Sequence, residues 1–247
     1  MKLRHRIKSF LQNHVMVWMI DKIYDIQSCY NPNVILSGLK YVDSVTLKDG
    51  SVFKATKNFW VVIDEVRSEY DWNDMRNTDI MLDIGAHIGS ITIPAARKVK
   101  HVFAIEPIFT EELQENVRLN GLTNVTILPI AMGNGGKIDL SFFETKKNEI
   151  QTHTFKEIVD MCGGKIDFLK CDCEGGEWFI NKSDLDGIRR IEIEIHPKMN
   201  PTEQFNPELV PYIKDNWNTT KTDLDTTYNL HAKKLKRNDV RFSSFVE

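Results

Sequence analysis

The sequence predicts an α/β protein: a doubly wound, mostly parallel sheet that closes with a C-terminal antiparallel strand or hairpin and follows an N-terminal helical and β extension. Three observations carry this expectation. From Ile80 onward, short apolar runs alternate with helix-length amphipathic segments, which is the rhythm of a parallel sheet. A glycine-bearing turn, "DIGAHIGS" at residues 83–90, joins the first run to the first helical segment. Residues 217–246 are rich in threonine and alternate in polarity, which favours β structure at a sheet edge.

Taken in order, "VTLKDGSVFKATKNFWVVID" (45–64) reads as two or three β segments, with "KDG" as a hairpin turn. "IMLDI" is the first strand of the main sheet, and "IGSITIPAARKVK" a helix that Pro94 should hold to its first turns. "HVFAI" is a second strand, "TEELQENVRLNGL" a helix with acids in its first turn and glycine at its end, and "NVTIL" a third strand. "KIDLSFF" predicts another strand. Thr154 and Glu157 have capping-box spacing, so a helix should open in "THTFKEIVDMCGG". "IDFLKC" is a buried strand, "EGGEWFIN" starts a short helix, and "IRRIEIEI" alternates like a strand with one exposed face. The expected division is an extension over 1–58 and a main domain over 59–247.

The 247 residues suffice for one large core, and 41% hydrophobic with 27% charged residues is an ordinary balance. A formal charge of -3 argues against a general nucleic-acid binder, although "HAKKLKRNDVR" is a local basic patch, most simply a solvated edge or tail. Cys29, Cys162, Cys171 and Cys173 lack the spacing of a disulfide framework or zinc site, so reduced thiols and a cytoplasmic location are expected. The start is basic and then apolar, but "VMVWMI" is too short to span a membrane and is followed by Asp21 and Lys22. Helical spacing of Leu3, Ile7, Phe10, Leu11 and Trp18 suggests a helix packed on its own domain; a lid, a homo-oligomer contact or a membrane-surface helix are the alternatives.

The chemistry starts at the glycine turn. In doubly wound sheets the ligand crosses the carboxyl ends of the strands, where backbone must approach it closely. Gly85 and Gly89 suit that approach, but Ala86, His87 and Ile88 separate them, unlike the G-x-G-x-x-G of a pyrophosphate turn. Asp83 would repel a pyrophosphate and favour a cationic end, the amino group or sulfonium of S-adenosylmethionine. Glu106 in "VFAIEP", seventeen residues after Gly89 and followed by Pro107, is placed to accept from both hydroxyls of an adenosine ribose. Ala131 in "LPIAMGNGG" is a candidate for an adenine slot or a plain turn.

"KCDCEGGEW" groups Asp172, Glu174 and Glu177 where the donor's methyl group should lie. It lacks the proline-aromatic element with which enzymes methylating planar amines grip their acceptor. Carboxylates suit a hydroxyl acceptor, as base or orienting group, and could equally help hold a divalent cation. His196 in "IEIEIHP" should emerge at the same rim beside Glu194, as a general base or a structural residue.

Together these segments resemble the FkbM family of S-adenosylmethionine-dependent methyltransferases, over about residues 59–200. The resemblance implies the class I methyltransferase sheet, S-adenosylmethionine as donor, and O-methylation of a hydroxyl on a sugar or secondary metabolite. By position, Asp83, Gly85 and Gly89 match the family's glycine motif, Glu106 its ribose-binding acid, and Asp172, Glu174 and Glu177 its D-x-E-G-x-E signature. His87 stands where the family usually has asparagine, which puts a pH-dependent donor affinity in prospect. Glu65 and Tyr70 match an upstream acid followed by "E-Y" and are expected to close over the donor's amino-acid end or simply to pack. An RNA or protein methyltransferase, a non-catalytic donor-binding scaffold and a nicotinamide dehydrogenase remain the rival readings.

Overall fold

A computed structural model describes residues 26–28, 44–47, 49–54, 70–139, 149–199, 206–224 and 227–234. The expected N-terminal helix, Cys29, Glu65 and most of the basic C-terminal patch lie outside these residues.

The first described residues form three antiparallel strands, β1 (Ile26–Ser28), β2 (Ser44–Leu47) and β3 (Val52–Lys54). The β2–β3 turn is the expected one: Gly50 takes φ +83° and its N–H donates to Leu47 O at 2.9 Å. The hairpin is tied to the main domain. Val52 N–H donates to Asn120 Oδ1 and Lys54 N–H to Asn116 Oδ1, while Arg97 donates to the carbonyls of Asp49 and Gly50.

The main domain contains β4 (Ile80–Ile84), α1 (Thr92–Ala96), β5 (His101–Ile105), α2 (Thr110–Leu119), β6 (Val125–Leu128), β7 (Ala131–Met132), β8 (Lys137–Asp139), β9 (Glu149–His153), α3 (Phe155–Met161), β10 (Phe168–Cys171), β11 (Arg190–Ile195), α4 (Leu209–Asn216), β12 (Trp217–Asp223) and β13 (Tyr228–Lys234). Seven strands form one sheet in the order β12-β13-β11-β10-β4-β5-β6. β13 runs antiparallel to both neighbours, and the other pairings are parallel. β7, β9 and β8 form a small side sheet. Pro94 lies within a five-residue α1, as its missing N–H requires, and Thr154 with Glu157 forms the capping box of α3. β9 and α4 were not anticipated from the sequence. β9 reads "EIQTH", without a repeating apolar face, and α4 buries little beyond Leu209 and Ile213, one turn apart.

Helices cover both faces. On one, α3 and α4 pack with Leu82, Leu169, Ile191 and Ile193 in the largest core cluster. On the other, α1 and α2 cover Met81, Val102 and Ala104. That second face changes character along the sheet: strand register places Asp83, Lys170, Glu192 and His231 in one transverse row across β4, β10, β11 and β13.

The expectation that β11 shows an exposed charged face is corrected here. Arg190 and Glu192 are 3% and 1% exposed. They pair with each other, and Glu192 also meets His231 Nδ1 at 2.5 Å and accepts from Asp71 N–H at 3.0 Å. A strand this far inside the sheet has both faces covered, so its charges survive only as partners.

Candidate functional site

The carboxyl ends of β4, β5 and β10 meet at the glycine turn. Gly85 takes φ +75°, and a Cβ there would fall 1.6 Å from the Asp172 carbonyl oxygen. A Cβ on Gly89, at φ +94°, would meet Leu113 Cδ1 at 2.8 Å. Both glycines thus allow the turn to lie against the protein's own chain, β10 on one side and α2 on the other. The N–H groups of Gly85 and Ala86 donate to Ile105 O, which folds the turn onto β5, and Ala86 packs with Ala104 and Leu113.

Asp83 is fully buried and is not among the residues bordering the cavity described below. Its Oδ2 accepts from Thr92 Oγ1 at 2.6 Å, and its Oδ1 lies 3.5 Å from Lys170 Nζ. Lys170, 1% exposed, donates to Gly85 O at 2.8 Å. The Asp83 carboxylate therefore balances a buried ammonium that clamps the turn, rather than facing the cleft. Lys170 was missed in the sequence. Its signal was a cation inside the fully buried strand "FLKC", which demands a buried partner.

Glu106 is 4% exposed and accepts three backbone N–H groups, from His87 at 2.8 Å, Ile108 at 2.6 Å and Phe109 at 2.9 Å. Burial pushes its carboxyl above the usual range, against those N–H groups. His87 sits at φ +50° with its ring edge-on to Phe109, centroids 4.4 Å apart. Burial, aided by the Lys170 charge, lowers its pKa to about 4. Among the described residues its Nδ1 has no hydrogen-bond partner.

Glu106, Pro107, His87 and Gly85 border a cavity of about 390 Å³ whose far wall is Ile130, Ala131 and Met132. Ala131 thus belongs to a two-residue strand beside the cleft. Asp172, Cys173 and Glu174 complete the rim. Tyr70 is buried and donates from Oη to Asp172 Oδ2 at 3.1 Å. The stretch after β10 is tightly folded: Glu174 takes φ +55°, and Gly175, at φ +97°, leaves no room for a Cβ against Met199.

A second cavity, of about 340 Å³, is bordered by Glu174, Glu194, His196, Lys198, Met199 and Thr227. Glu174 lines both cavities. Glu177, by contrast, is fully buried under the short helical turn Gly176–Phe179 and acts on His196: its Oε1 accepts from the His196 N–H at 2.8 Å and from Nδ1 at 3.0 Å. The other edge of the His196 ring faces the carboxylates of Glu174, Glu194 and Asp172 at 3.5, 3.7 and 3.8 Å. Burial alone would depress the imidazole, but Glu177 and the carboxylates of Asp172 and Glu174 raise its pKa to about 9. At neutral pH it rests as imidazolium. A base poised near its ordinary 6.5, as the sequence suggested, is not the resting state. Burial raises the carboxyls of Glu174 and Glu194, the latter further raised by Asp172.

Residues 83–218 match the methyltransferase FkbM domain. The 23S rRNA (uracil(1939)-C(5))-methyltransferase RlmD of Klebsiella pneumoniae (strain 342) is 40% identical over 63 residues, 25% of this chain and 14% of that protein. The chain spans 14% of the length of that relative and 13% to 21% of three other curated ones. Among solved structures, an rRNA methylase from Streptococcus thermophilus superposes with a TM-score of 0.45 at 12% identity, covering 66% of this chain and 90% of that one. SMU.1697c from Streptococcus mutans, in complex with SAH, gives 0.46 at 12% identity, covering 65% and 91%. The seven-stranded sheet with its antiparallel β13 is the class I methyltransferase fold. With more than half of its length matched, the chain belongs to the methyltransferase FkbM domain family, whose fold holds S-adenosylmethionine as cofactor.

Proposed function

We propose that the protein transfers the methyl group of S-adenosylmethionine to a hydroxyl oxygen of a small-molecule or glycan acceptor. The observation that carries this reading is the junction at Glu174, which lines both the apolar cavity beside Glu106 and the charged cavity beside His196. The donor takes the first, with its ribose at Glu106 and its adenine against Ala131. The acceptor enters the second. The methyl carbon then lies between them, and attack in line with the breaking carbon–sulfur bond needs the oxygen about 3 to 3.5 Å from it. An oxygen–carbon bond forms, S-adenosylhomocysteine leaves, and the hydroxyl proton passes to a carboxylate. Glu174 and Asp172 are the acids in reach, and burial raises the Glu174 carboxyl, which suits it to take the proton. His196, already protonated, balances their charge.

The loop Asp172-Cys173-Glu174-Gly175-Gly176 carries no proline-aromatic element of the kind that grips an exocyclic amine, which supports a hydroxyl. The rRNA methyltransferases among the relatives favour a second reading, an RNA acceptor. Lys198 and the His196 imidazolium do no more than balance Glu174 and Glu194 at the second cavity, so it lacks the net positive charge that holds a phosphate backbone. The test is incubation of the full chain with S-adenosylmethionine and two panels, hydroxylated small molecules or glycans and structured RNA, read by product mass. A mass gain on an RNA base, with RNA affinity falling steeply in salt, would replace the hydroxyl reading.

A further inference from the structure

The side chains around His196 converge on one point. Its side chain is 6% exposed, and its Nδ1 is turned to a Glu177 carboxylate that can only accept, so the neutral ring keeps its lone pair on Nε2. Among the described residues Nε2 makes long contacts alone, at 3.5 Å to Glu174 and at 3.7 and 3.8 Å to Glu194 and Asp172, the latter two beyond hydrogen-bond reach. These groups nevertheless converge. One ligand atom each from Asp172, Glu194 and His196 lies within 4.8 Å of the other two.

The groups behind them are equally ordered. Tyr70 Oη donates to Asp172 Oδ2, leaving Oδ1 directed at the centre. Thr227 Oγ1 donates to Glu194 Oε1 at 2.5 Å. Glu177, which turns the imidazole, is itself fixed by the Gly175 N–H at 2.9 Å. An outer layer that orients each potential ligand separates a coordination site from an acidic patch.

We propose that Asp172, Glu194 and His196 bind a divalent transition-metal ion at the edge of the second cavity. Two carboxylates with one imidazole fit Mn²⁺, Fe²⁺ or Zn²⁺ better than Mg²⁺ or Ca²⁺, which take oxygen alone. Bonds of about 2.0–2.2 Å would draw the three ligand atoms together by less than about an ångström. Metal binding displaces the imidazolium proton to solvent. The proposal deepens the methyl-transfer reading and rests on it for the acceptor: an acceptor hydroxyl reaching the ion would be made more acidic, and Glu174, which is not among the three ligands, stays free to take its proton.

The test uses the full chain after dialysis against EDTA, titrated with Mn²⁺ and followed by the loss of the free-ion electron paramagnetic resonance signal, with S-adenosylhomocysteine binding measured by calorimetry on the same sample. One Mn²⁺ per chain is expected, displaced by Zn²⁺. Glu194→Gln and His196→Gln should each weaken Mn²⁺ at least tenfold. Glu177→Gln, which removes no ligand, should weaken it about 10- to 100-fold. Glu115→Gln, which alters an exposed pair with Arg118, should leave it unchanged. Melting curves confirm that each variant is folded. If S-adenosylhomocysteine binds and Mn²⁺ does not, or if the Glu194 and His196 variants bind Mn²⁺ as well as the parent, the metal site is overturned while methyl transfer stands. If the folded protein takes neither, both readings fall.

Discussion

The two cavities are built in opposite ways. The first cavity is shaped by backbone: a turn pressed against β10, three N–H groups on Glu106, and apolar walls from Ile130 to Met132. The second cavity is shaped by charged side chains, with His196 set among Asp172, Glu174, Glu177 and Glu194. The difference teaches where each site is vulnerable. The first should fail through sterics and unpaired amides, the second through charge.

Gly85→Ala should have the largest effect, since it adds strain at positive φ to a collision with the Asp172 carbonyl. A loss beyond ~3 kcal/mol in denaturant melts, with donor binding abolished, is expected. Gly163→Ala is the control: φ is +88° but nothing lies within 4 Å, so only about 1–2 kcal/mol should be lost. Equal losses would break the steric half of the comparison. Glu174→Gln comes next, with turnover lowered on the order of 10²–10⁴-fold and donor affinity far less changed. Glu106→Ala should do the reverse, weakening donor affinity on the order of 100-fold in calorimetry because three amides lose their acceptor. Parallel losses of affinity and turnover in both variants would erase the division between the cavities.

His87 gives the smallest effect and the sharpest sign. With its folded pKa near 4 and an ordinary value of 6.5, the unfolded chain binds the extra proton between those limits. Its contribution to stability is complete above pH 6.5 and is lost as pH falls towards 4. The parent should therefore lose melting temperature over that window more steeply than His87→Asn. Donor affinity should stay flat from pH 6 to 8, because the ring is neutral throughout; a step in that range would show that burial does not control it.

The donor half was readable because its determinants are contiguous. Asp83, Gly85, Gly89 and Glu106 fall within one strand-turn-helix-strand stretch, and apolar periodicity marks the elements around them. Even there the glycines answer to Asp172 and Leu113 rather than to open space, and Asp83 turns inward to Thr92 and Lys170. The charged half was less readable because alternation in "RIEIEI" does not reveal what covers its polar face. Glu194 stood in plain view at that strand's end, but Thr227, which engages it, is 33 residues away in sequence. Such partners are joined by sheet register, which no local pattern encodes.

The place of β13 has a consequence for biosynthesis. β13 separates β11 from β12, so the sheet is continuous only once residues 228–234 are available. The turn at Gly85 and the loop at Glu174 are translated before Thr227 and the strand that flanks Glu194. A nascent chain that ends between Glu174 and Thr227 therefore carries every residue bordering the first cavity but lacks part of the wall of the second. Synthesis supplies the two walls in sequence, the backbone-built one first.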